Sequence, residues 1–320
     1  MNVLVTGGGG FIGSHLVDAL VTSGHRVSVL DNFTTGSHSN LARHEGLIEL
    51  VEGDATDWST VMRTCEAIET IFHLAAIPSV QRSVEQPLIT QRNGEVATVC
   101  LLKAAASCGV KRFVFASSCS VYGRPVSLPV AENAQLRPLS PYAATKLACE
   151  GYLPAFSECF GIDTVALRYF NAFGPRQDPQ SPYSGVLSIF SAQVAANQRP
   201  HVFGDGEQTR DFVNVKDVVK ANLLAMNSNK RFGGCSINIG SGRPFSLNQV
   251  IAILNQILGM DIKPIFSDLR RGDIRHSLAD LGLARRLLGY APTVELEEGL
   301  RELLHNNNAA VQTGASREGS

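Results

Sequence analysis

Asn2-Val3-Leu4-Val5-Thr6-Gly7-Gly8-Gly9-Gly10-Phe11-Ile12-Gly13 opens the chain and decides how the rest is read. Asn2 to Thr6 is apolar and β-branched, the pattern of a short buried strand. Beyond the glycines, Phe11, Ile12, Leu16, Leu20 and Val21 recur at helical spacing until Gly24 stops the helix. Val27 to Leu30 is a second strand, ending at Asp31. Glycines at 7, 10 and 13 let the backbone turn sharply and let a pyrophosphate reach the helix N-terminus. Free N–H groups and the helix dipole favour negative charge there. Asp31, 18 residues beyond Gly13, can accept both ribose hydroxyls of an adenosine and repels a 2′-phosphate, which argues for NAD over NADP. A glycine-rich turn in another α/β protein would share the glycines without requiring the terminal acid.

The alternation continues. Strands are expected at Leu47 to Val51, Thr70 to Leu74, Lys111 to Ala116 and Thr164 to Tyr169, with helices at Asp57 to Ala67, Pro87 to Gly109 and Pro141 to Phe160. Repeated βα units with apolar strands imply a doubly wound parallel sheet of Rossmann type, with ligands at the C-terminal strand ends. After Tyr169 the texture changes. Asn171 to Ser184 reads as a long loop. Short strands follow at Pro200 to Phe203, Asp211 to Val215 and Ser236 to Ile239, and helices at Leu187 to Ala196, Asp217 to Met226, Ser246 to Leu258, Asp280 to Leu288 and Leu296 to Leu304. The expected organisation is an NAD-binding domain over 1–170, to which segments near 211–240 return. A smaller mixed α/β substrate domain covers 171–305. From Asn306 the composition is small and polar, and 306–320 is expected to be a disordered tail.

Composition narrows the function classes. The 320 residues are 44% hydrophobic and 18% charged, with a formal net charge of −1, which offers no broad basic field for nucleic acid or an anionic membrane surface. No apolar run reaches transmembrane length, and the N-terminus enters a strand without a signal-peptide pattern. Seven cysteines without a C-x-x-C pair suit reduced thiols in a cytoplasmic protein. The eight histidines show no zinc-ligand spacing, so no metal is expected.

Ser140-Pro141-Tyr142-Ala143-Ala144-Thr145-Lys146 is the candidate for chemistry. Tyr142 and Lys146 are one helical turn apart on one face. A phenol has an ordinary pKa of about 10, and an ammonium held beside it favours the phenolate. Such a pair also occurs by chance on solvated helix faces. Arg210, Arg270 and Arg271 near turns are each ordinary surface charges unless they converge on one cleft, where guanidinium groups suit a diphosphate.

Several further stretches accompany these residues. They are Ser117-Ser118 before Val121-Tyr122-Gly123, Arg168-Tyr169-Phe170-Asn171, Phe173-Gly174-Pro175-Arg176-Gln177, Thr209-Arg210-Asp211-Phe212 and Arg270-x-Gly272-Asp273. Over about residues 1–305 the chain resembles the extended short-chain dehydrogenase/reductase superfamily, and within it the UDP-hexose 4-epimerases. The resemblance implies NAD as cofactor, a UDP-sugar substrate and a homodimer through the Pro87–Gly109 and Pro141–Phe160 helices. It makes Tyr142 the acid/base for the sugar 4-hydroxyl, Lys146 its activator and a ligand of the nicotinamide ribose, and Ser118 the relay on the same oxygen. Cofactor contacts are expected from Gly7, Gly10, Phe11, Ile12, Gly13, Asp31, Asn32, Asp54, Ala55, Leu74, Ala75, Ala76, Ser117 and Tyr169. Substrate contacts are expected from Ser79, Ser117 and Ser118 near the sugar, Asn171, Arg210 and Arg270 at the diphosphate, Phe203 on uracil and Asp273 at the uridine ribose.

Two positions refine the resemblance. Nucleotide-sugar 4,6-dehydratases place an Asp-Glu pair after the residue matching Ser118; Cys119 and Ser120 stand here, which disfavours dehydration. Epimerases restricted to plain hexoses carry a bulky Tyr where Ser277 aligns. A serine there implies room for an N-acetyl group, so UDP-N-acetylglucosamine and UDP-N-acetylgalactosamine are expected substrates besides UDP-glucose and UDP-galactose. The family's helix Asn aligns with Gly94, with Asn93 one place early. The rival readings are another NAD-dependent nucleotide-sugar oxidoreductase or dehydratase, and a non-catalytic NAD-binding regulator.

Overall fold

The computed structural model describes residues 1–178, 185–269 and 274–315, with side chains as far as His305. In chain order its first half runs β1 (Asn2–Thr6), α1 (Phe11–Thr22), β2 (Arg26–Asp31), β3 (Glu49–Glu52), α2 (Trp58–Thr64), β4 (Thr70–His73), α3 (Val80–Glu85), α4 (Pro87–Gln91), α5 (Ala97–Cys108), β5 (Arg112–Ser118), α6 (Pro141–Phe160) and β6 (Asp163–Tyr169). The second half runs β7 (Asn171–Phe173), α7 (Val186–Ala195), β8 (His201–Phe203), β9 (Thr209–Asn214), α8 (Val215–Asn227), β10 (Ser236–Ile239), β11 (Pro244–Ser246), α9 (Leu247–Leu258), β12 (Ile265–Ser267), α10 (Gly282–Leu288) and α11 (Leu296–Ala315).

A seven-stranded sheet in the order β10-β6-β5-β4-β1-β2-β3 forms the frame, with every pairing parallel. Alternate residues of β1 feed opposite faces. Val3 and Val5 join a core with α1, α8 and α10, whereas Leu4 joins one with α2, α5 and α6. Strand order reverses between β1 and β4, so the chain leaves these neighbours in opposite directions and a crevice opens at their C-terminal ends. The expected Rossmann-type sheet is therefore present.

Helix Pro87–Gly109 is divided. A π-helical stretch, Arg92–Val96, lies between α4 and α5. A Cβ at Gly94 would stand 2.3 Å from Thr145 Cγ2 of α6, so the glycine permits the wide turn to pack beside the residue preceding Lys146.

The second body has its own core, joining α7, α9 and α11 with Phe173, Val202 and Phe212. Its sheets are β11-β9-β7 and β12-β8. Strand β9 lies in the first of these, while α8 and β10 return to the large domain. The segment Ala284–Tyr290 also joins the large core, which the sequence reading assigned to the substrate domain. The first residues of the expected 171–184 loop form β7, whose partner β9 is distant in sequence; residues 179–184 lie outside the described part. Where a tail is expected from 306, the backbone of α11 runs helical to Ala315, and 316–320 lie outside the described residues. Leu296, Leu300, Leu303 and Leu304 are buried and nucleate the helix, and extending a packed helix costs little per residue.

A Cβ at Gly13 would meet the Gly7 carbonyl oxygen at 2.1 Å, backbone against Cβ, so no rotamer relieves it. Gly13→Ala is expected to lose about 1–3 kcal/mol of stability, measured by urea unfolding; an unchanged midpoint would show that α1 can retreat from β1.

Candidate active site

The glycine turn is built from the strand end outward. Gly7 takes φ 72°, which a side chain would strain. Its N–H donates to Leu30 O at 2.9 Å, and Gly10 N–H donates back to Gly7 O at 3.1 Å. Helix α1 then begins with Gly10 as N-cap, no side-chain cap and no acid in its first turn. Those N–H groups suit a pyrophosphate. The Asp31 carboxylate is buried and accepts Gly9 N–H and Phe33 N–H, both at 2.8 Å. Each oxygen keeps acceptor capacity for a ribose hydroxyl. The residues present therefore fit a dinucleotide, with Gly7 to Gly13 and Asp31 as its principal holders.

A second segment closes over Gly9 and was missed from sequence. Asn40 Nδ2 donates to Gly9 O at 2.8 Å, and a Cβ at Gly36 would sit 2.8 Å from the Gly9 carbonyl carbon. Its only signal was a loop rich in Gly, Ser and Asn after β2. Asn32 is exposed and accepts Thr34 N–H, Asp54 accepts Thr56 N–H, and Ala55 is buried. Leu74, Ala75 and Ala76 are half-buried beyond β4; a Cβ at Gly7 would stand 2.7 Å from Ala75 N, so the two strand ends abut at the crevice.

Tyr142 lies in the first turn of α6, which Ser140 caps by accepting Ala143 N–H. Ser118 at the end of β5 lies beside its phenol. Burial pushes the phenol up to about 12; the Ser118 hydroxyl offsets this only in part, and Cys119 adds to it. Lys146 Nζ donates to Ala116 O at 2.7 Å, 4.7 Å from the Phe115 ring centroid and 5.9 Å from that of Tyr142. Burial pushes the ammonium down to about 8, against the opposing influence of Cys149 and Glu150. In the protein alone burial dominates at Tyr142 and the net displacement of its pKa is upward. Both groups share one desolvated pocket, and the ammonium is turned to a backbone carbonyl.

Ser117 is buried on the β5 face that packs against α6, and its hydroxyl donates to Glu150 at 2.5 Å, behind the Tyr142–Lys146 turn. The Tyr169 hydroxyl is likewise used internally, by the Asn222 amide of α8. Ser79 is buried and caps α3, accepting Arg82 N–H at 3.0 Å.

The second body supplies the opposite wall. Ser277 lies close to the Cys119 thiol, whose pKa burial raises to about 12 with Asp211 adding and Arg210 and Ser277 opposing. Ser277 N–H donates to Thr209 O, and Arg210 Nη1 donates to Thr209 O at 2.9 Å. Tyr142, Ser118, Cys119, Arg210 and Ser277 are thus linked in one neighbourhood. Asp211, given no role from sequence, organises it. Its buried carboxylate accepts Ser241 N–H and Oγ, Gly242 N–H and Ala279 N–H at 2.6–3.0 Å. Asn171 is half-buried at the start of β7, and Phe203 at the end of β8 meets His201 edge to face at 4.6 Å. Arg270 and Asp273 lie outside the described residues. Among the described residues no helix is long and apolar enough to cross a membrane.

Residues 3–240 match the profile of the NAD dependent epimerase/dehydratase family. A UDP-glucose 4-epimerase of Mycolicibacterium smegmatis is 40% identical over 304 residues, 94% of this chain and 96% of that protein. The UDP-glucose 4-epimerase of Thermotoga maritima, solved with UDP-glucose, superposes with a TM-score of 0.92 at 39% identity, covering 97% of this chain and 100% of that one. A UDP-N-acetylglucosamine 4-epimerase from Methanobrevibacter ruminantium, solved with UDP-N-acetylmuramic acid, also has a TM-score of 0.92 at 39% identity, covering 97% and 98%.

The Lys146 environment makes a stability prediction. Between its folded value of about 8 and the ordinary 10.5, the unfolded chain binds more protons, so this residue's contribution rises with pH across that window. Lys146→Met is expected to raise the melting temperature near neutral pH, with the gain shrinking as pH climbs toward 10.5. Calorimetry across that range checks it, and a pH-independent difference would contradict the buried-charge account.

Proposed function

The chain belongs to the NAD dependent epimerase/dehydratase family, and from that premise we propose that it interconverts UDP-hexoses at sugar C4. The substrates are UDP-glucose with UDP-galactose and UDP-N-acetylglucosamine with UDP-N-acetylgalactosamine. The observation that carries this reading is the convergence of Tyr142 and Lys146, in the first turns of α6, on the end of β5, where Lys146 meets Ala116 O and Ser118 is followed by Cys119. An acid/base pair stands ready for one hydroxyl, and no carboxyl follows Ser118 to eliminate water.

The C4 proton of a sugar has no neighbouring group to acidify it, so inversion needs a ketone at C4. NAD, held by Gly7 to Gly13 and Asp31, supplies reversible hydride acceptance when bound. Tyr142 takes the 4-hydroxyl proton, with Ser118 orienting the shared oxygen. The flat 4-keto sugar turns about its diphosphate, which Asn171, Arg210 and Arg270 hold, with Phe203 on the uracil and Asp273 on the uridine ribose. Tyr142 then returns its proton on the other face. Because burial holds the phenol near 12, the phenolate depends on positive charge in the pocket. Lys146 keeps N–H groups beyond the one given to Ala116 O for the nicotinamide ribose. Ser277 shapes the wall at the sugar 2-position. Exposed Leu88 and Ile89 on α4 and Phe160 on α6 suit a second copy of the chain, and the homodimer through the Pro87–Gly109 and Pro141–Phe160 helices is part of the proposal.

The decisive test incubates the protein with UDP-glucose or UDP-N-acetylglucosamine, without added reductant, and separates C4 epimers. Tyr142→Phe is expected to lower turnover by about 10²–10⁴-fold while NAD binding persists; substantial residual turnover would refute its role. Ser277→Tyr is expected to suppress the N-acetylated substrates selectively, and an equal loss for plain hexoses would remove the gate.

A further inference from the structure

Helix α6 carries Tyr142 and Lys146 near its start, yet its ladder weakens one turn below them. Gly151 and Pro154 both lie in its interior. Proline has no N–H to bond the carbonyl four residues earlier, and its ring crowds that carbonyl. The carbonyl is that of residue 150. The helix stays continuous from Pro141 to Phe160, but it lacks this one backbone bond.

Glu150 stands at this missing bond, one turn after Lys146. Its buried carboxylate is fully partnered. Oε1 accepts Ser117 Oγ at 2.5 Å and Arg168 Nε at 2.9 Å; Oε2 accepts Arg168 Nη2 at 2.6 Å and Ser236 Oγ at 3.1 Å. These partners come from β5, β6 and β10. Arg168 is fixed in turn, donating from Nη1 to Tyr122 Oη at 2.8 Å and Glu132 O at 3.2 Å. Tyr122 Oη donates onward to Asn238 Oδ1 at 2.6 Å. Strand β5 receives Glu150 at Ser117, offers the Ala116 carbonyl to Lys146 on one side, and presents Ser118 to Tyr142 on the other.

We propose that Glu150 is a positioning residue for the C4 reaction: its carboxylate sets the Tyr142–Lys146 turn of α6 against the end of β5. The inference rests on the catalytic reading of Tyr142, Lys146 and Ser118 given above. A misplacement of about 1 Å at such a turn can cost roughly 100-fold in rate, and the Glu150 carboxylate is bonded to three strands of the sheet directly after that turn. The carboxylate also bears on the Lys146 charge. Lys146 is faced by Tyr142, Cys149 and Glu150 on its own helix and by Phe115 on β5. His73 at the end of β4, itself pushed down to about 3 by burial with Lys146 adding, is neutral. Glu150 supplies the negative charge in this set, and Arg168 shares it.

Glu150→Gln keeps the size of the side chain and removes its charge. We expect kcat to fall about 10- to 100-fold, with KM for the UDP-sugar changed by less than about twofold. We also expect the titration midpoint of Lys146, followed by its ¹³Cε shift in lysine-labelled protein without ligand, to move below that of the wild type. Ser236→Ala removes one bond to the carboxylate and is expected to lower kcat about threefold in the same pattern; it decides the question should Glu150→Gln not fold. A folded Glu150→Gln protein with normal kcat and an unmoved Lys146 titration, or one that loses only thermal stability, overturns the proposal. So does unchanged kcat in Ser236→Ala where Glu150→Gln is unfolded. Tyr142→Phe measured alongside separates the two readings. Retained turnover there removes the catalytic assignment, whereas abolished turnover with an unaffected Glu150→Gln removes only the positioning role.

Discussion

The Gly7 carbonyl oxygen occupies the space that a side chain at residue 13 would need, 2.1 Å from the ideal Cβ. That approach presses the start of α1 onto the end of β1. From there the anion-binding floor is assembled out of separate segments. Asp31 reaches back from β2 to Gly9, and Asn40 holds the carbonyl of the same glycine. Gly7 in turn abuts Ala75 at the end of β4. The crevice at the strand reversal is therefore rigid because backbone meets backbone.

Burial sets the charge states above this floor. Tyr142 and Cys119 are pushed up and Lys146 is pushed down, each mainly by desolvation. His73 shows the neutral extreme. Thr98 gives its own proton to Gly94 O, so it accepts from His73 Nε2, and His73 Nδ1 accepts from Thr6. The imidazole is thus one fixed tautomer in a satisfied chain joining β1, β4 and the π-helical stretch. The buried carboxylates Glu150 and Asp211 differ, since each gathers several donors and organises a wall of the site.

The substrate-side wall depends on long-range contacts of the same kind. Asp211 on β9 ties down Ala279, and Asp217 on α8 accepts Thr293 N–H and Oγ and Val294 N–H. The two carboxylates hold the returning C-terminal segment against the large domain. Ser277 consequently meets Cys119 and the neighbourhood of Tyr142, although it belongs to the other half of the chain.

The sequence by itself determined the parallel frame, the glycine turn with its terminal acid at Asp31, and the helix that sets Tyr142 and Lys146 on one face. Each is written in local periodicity, glycine spacing or residues within a few turns of one another. The resemblance carried Ser118 and Ser277. Only the tertiary structure decided what those residues do to each other. Ser117, read as a site residue, is committed to Glu150, and Lys146 bonds Ala116 O while Tyr142 rises in pKa. β7 exists because β9 pairs with it, α11 extends past its expected end, and Glu150 and Asp211 carried no local signal. The physical reason is that desolvation, nonlocal strand pairing and hydrogen-bond partnership depend on which groups fold around a residue, and no short stretch of chain contains that information.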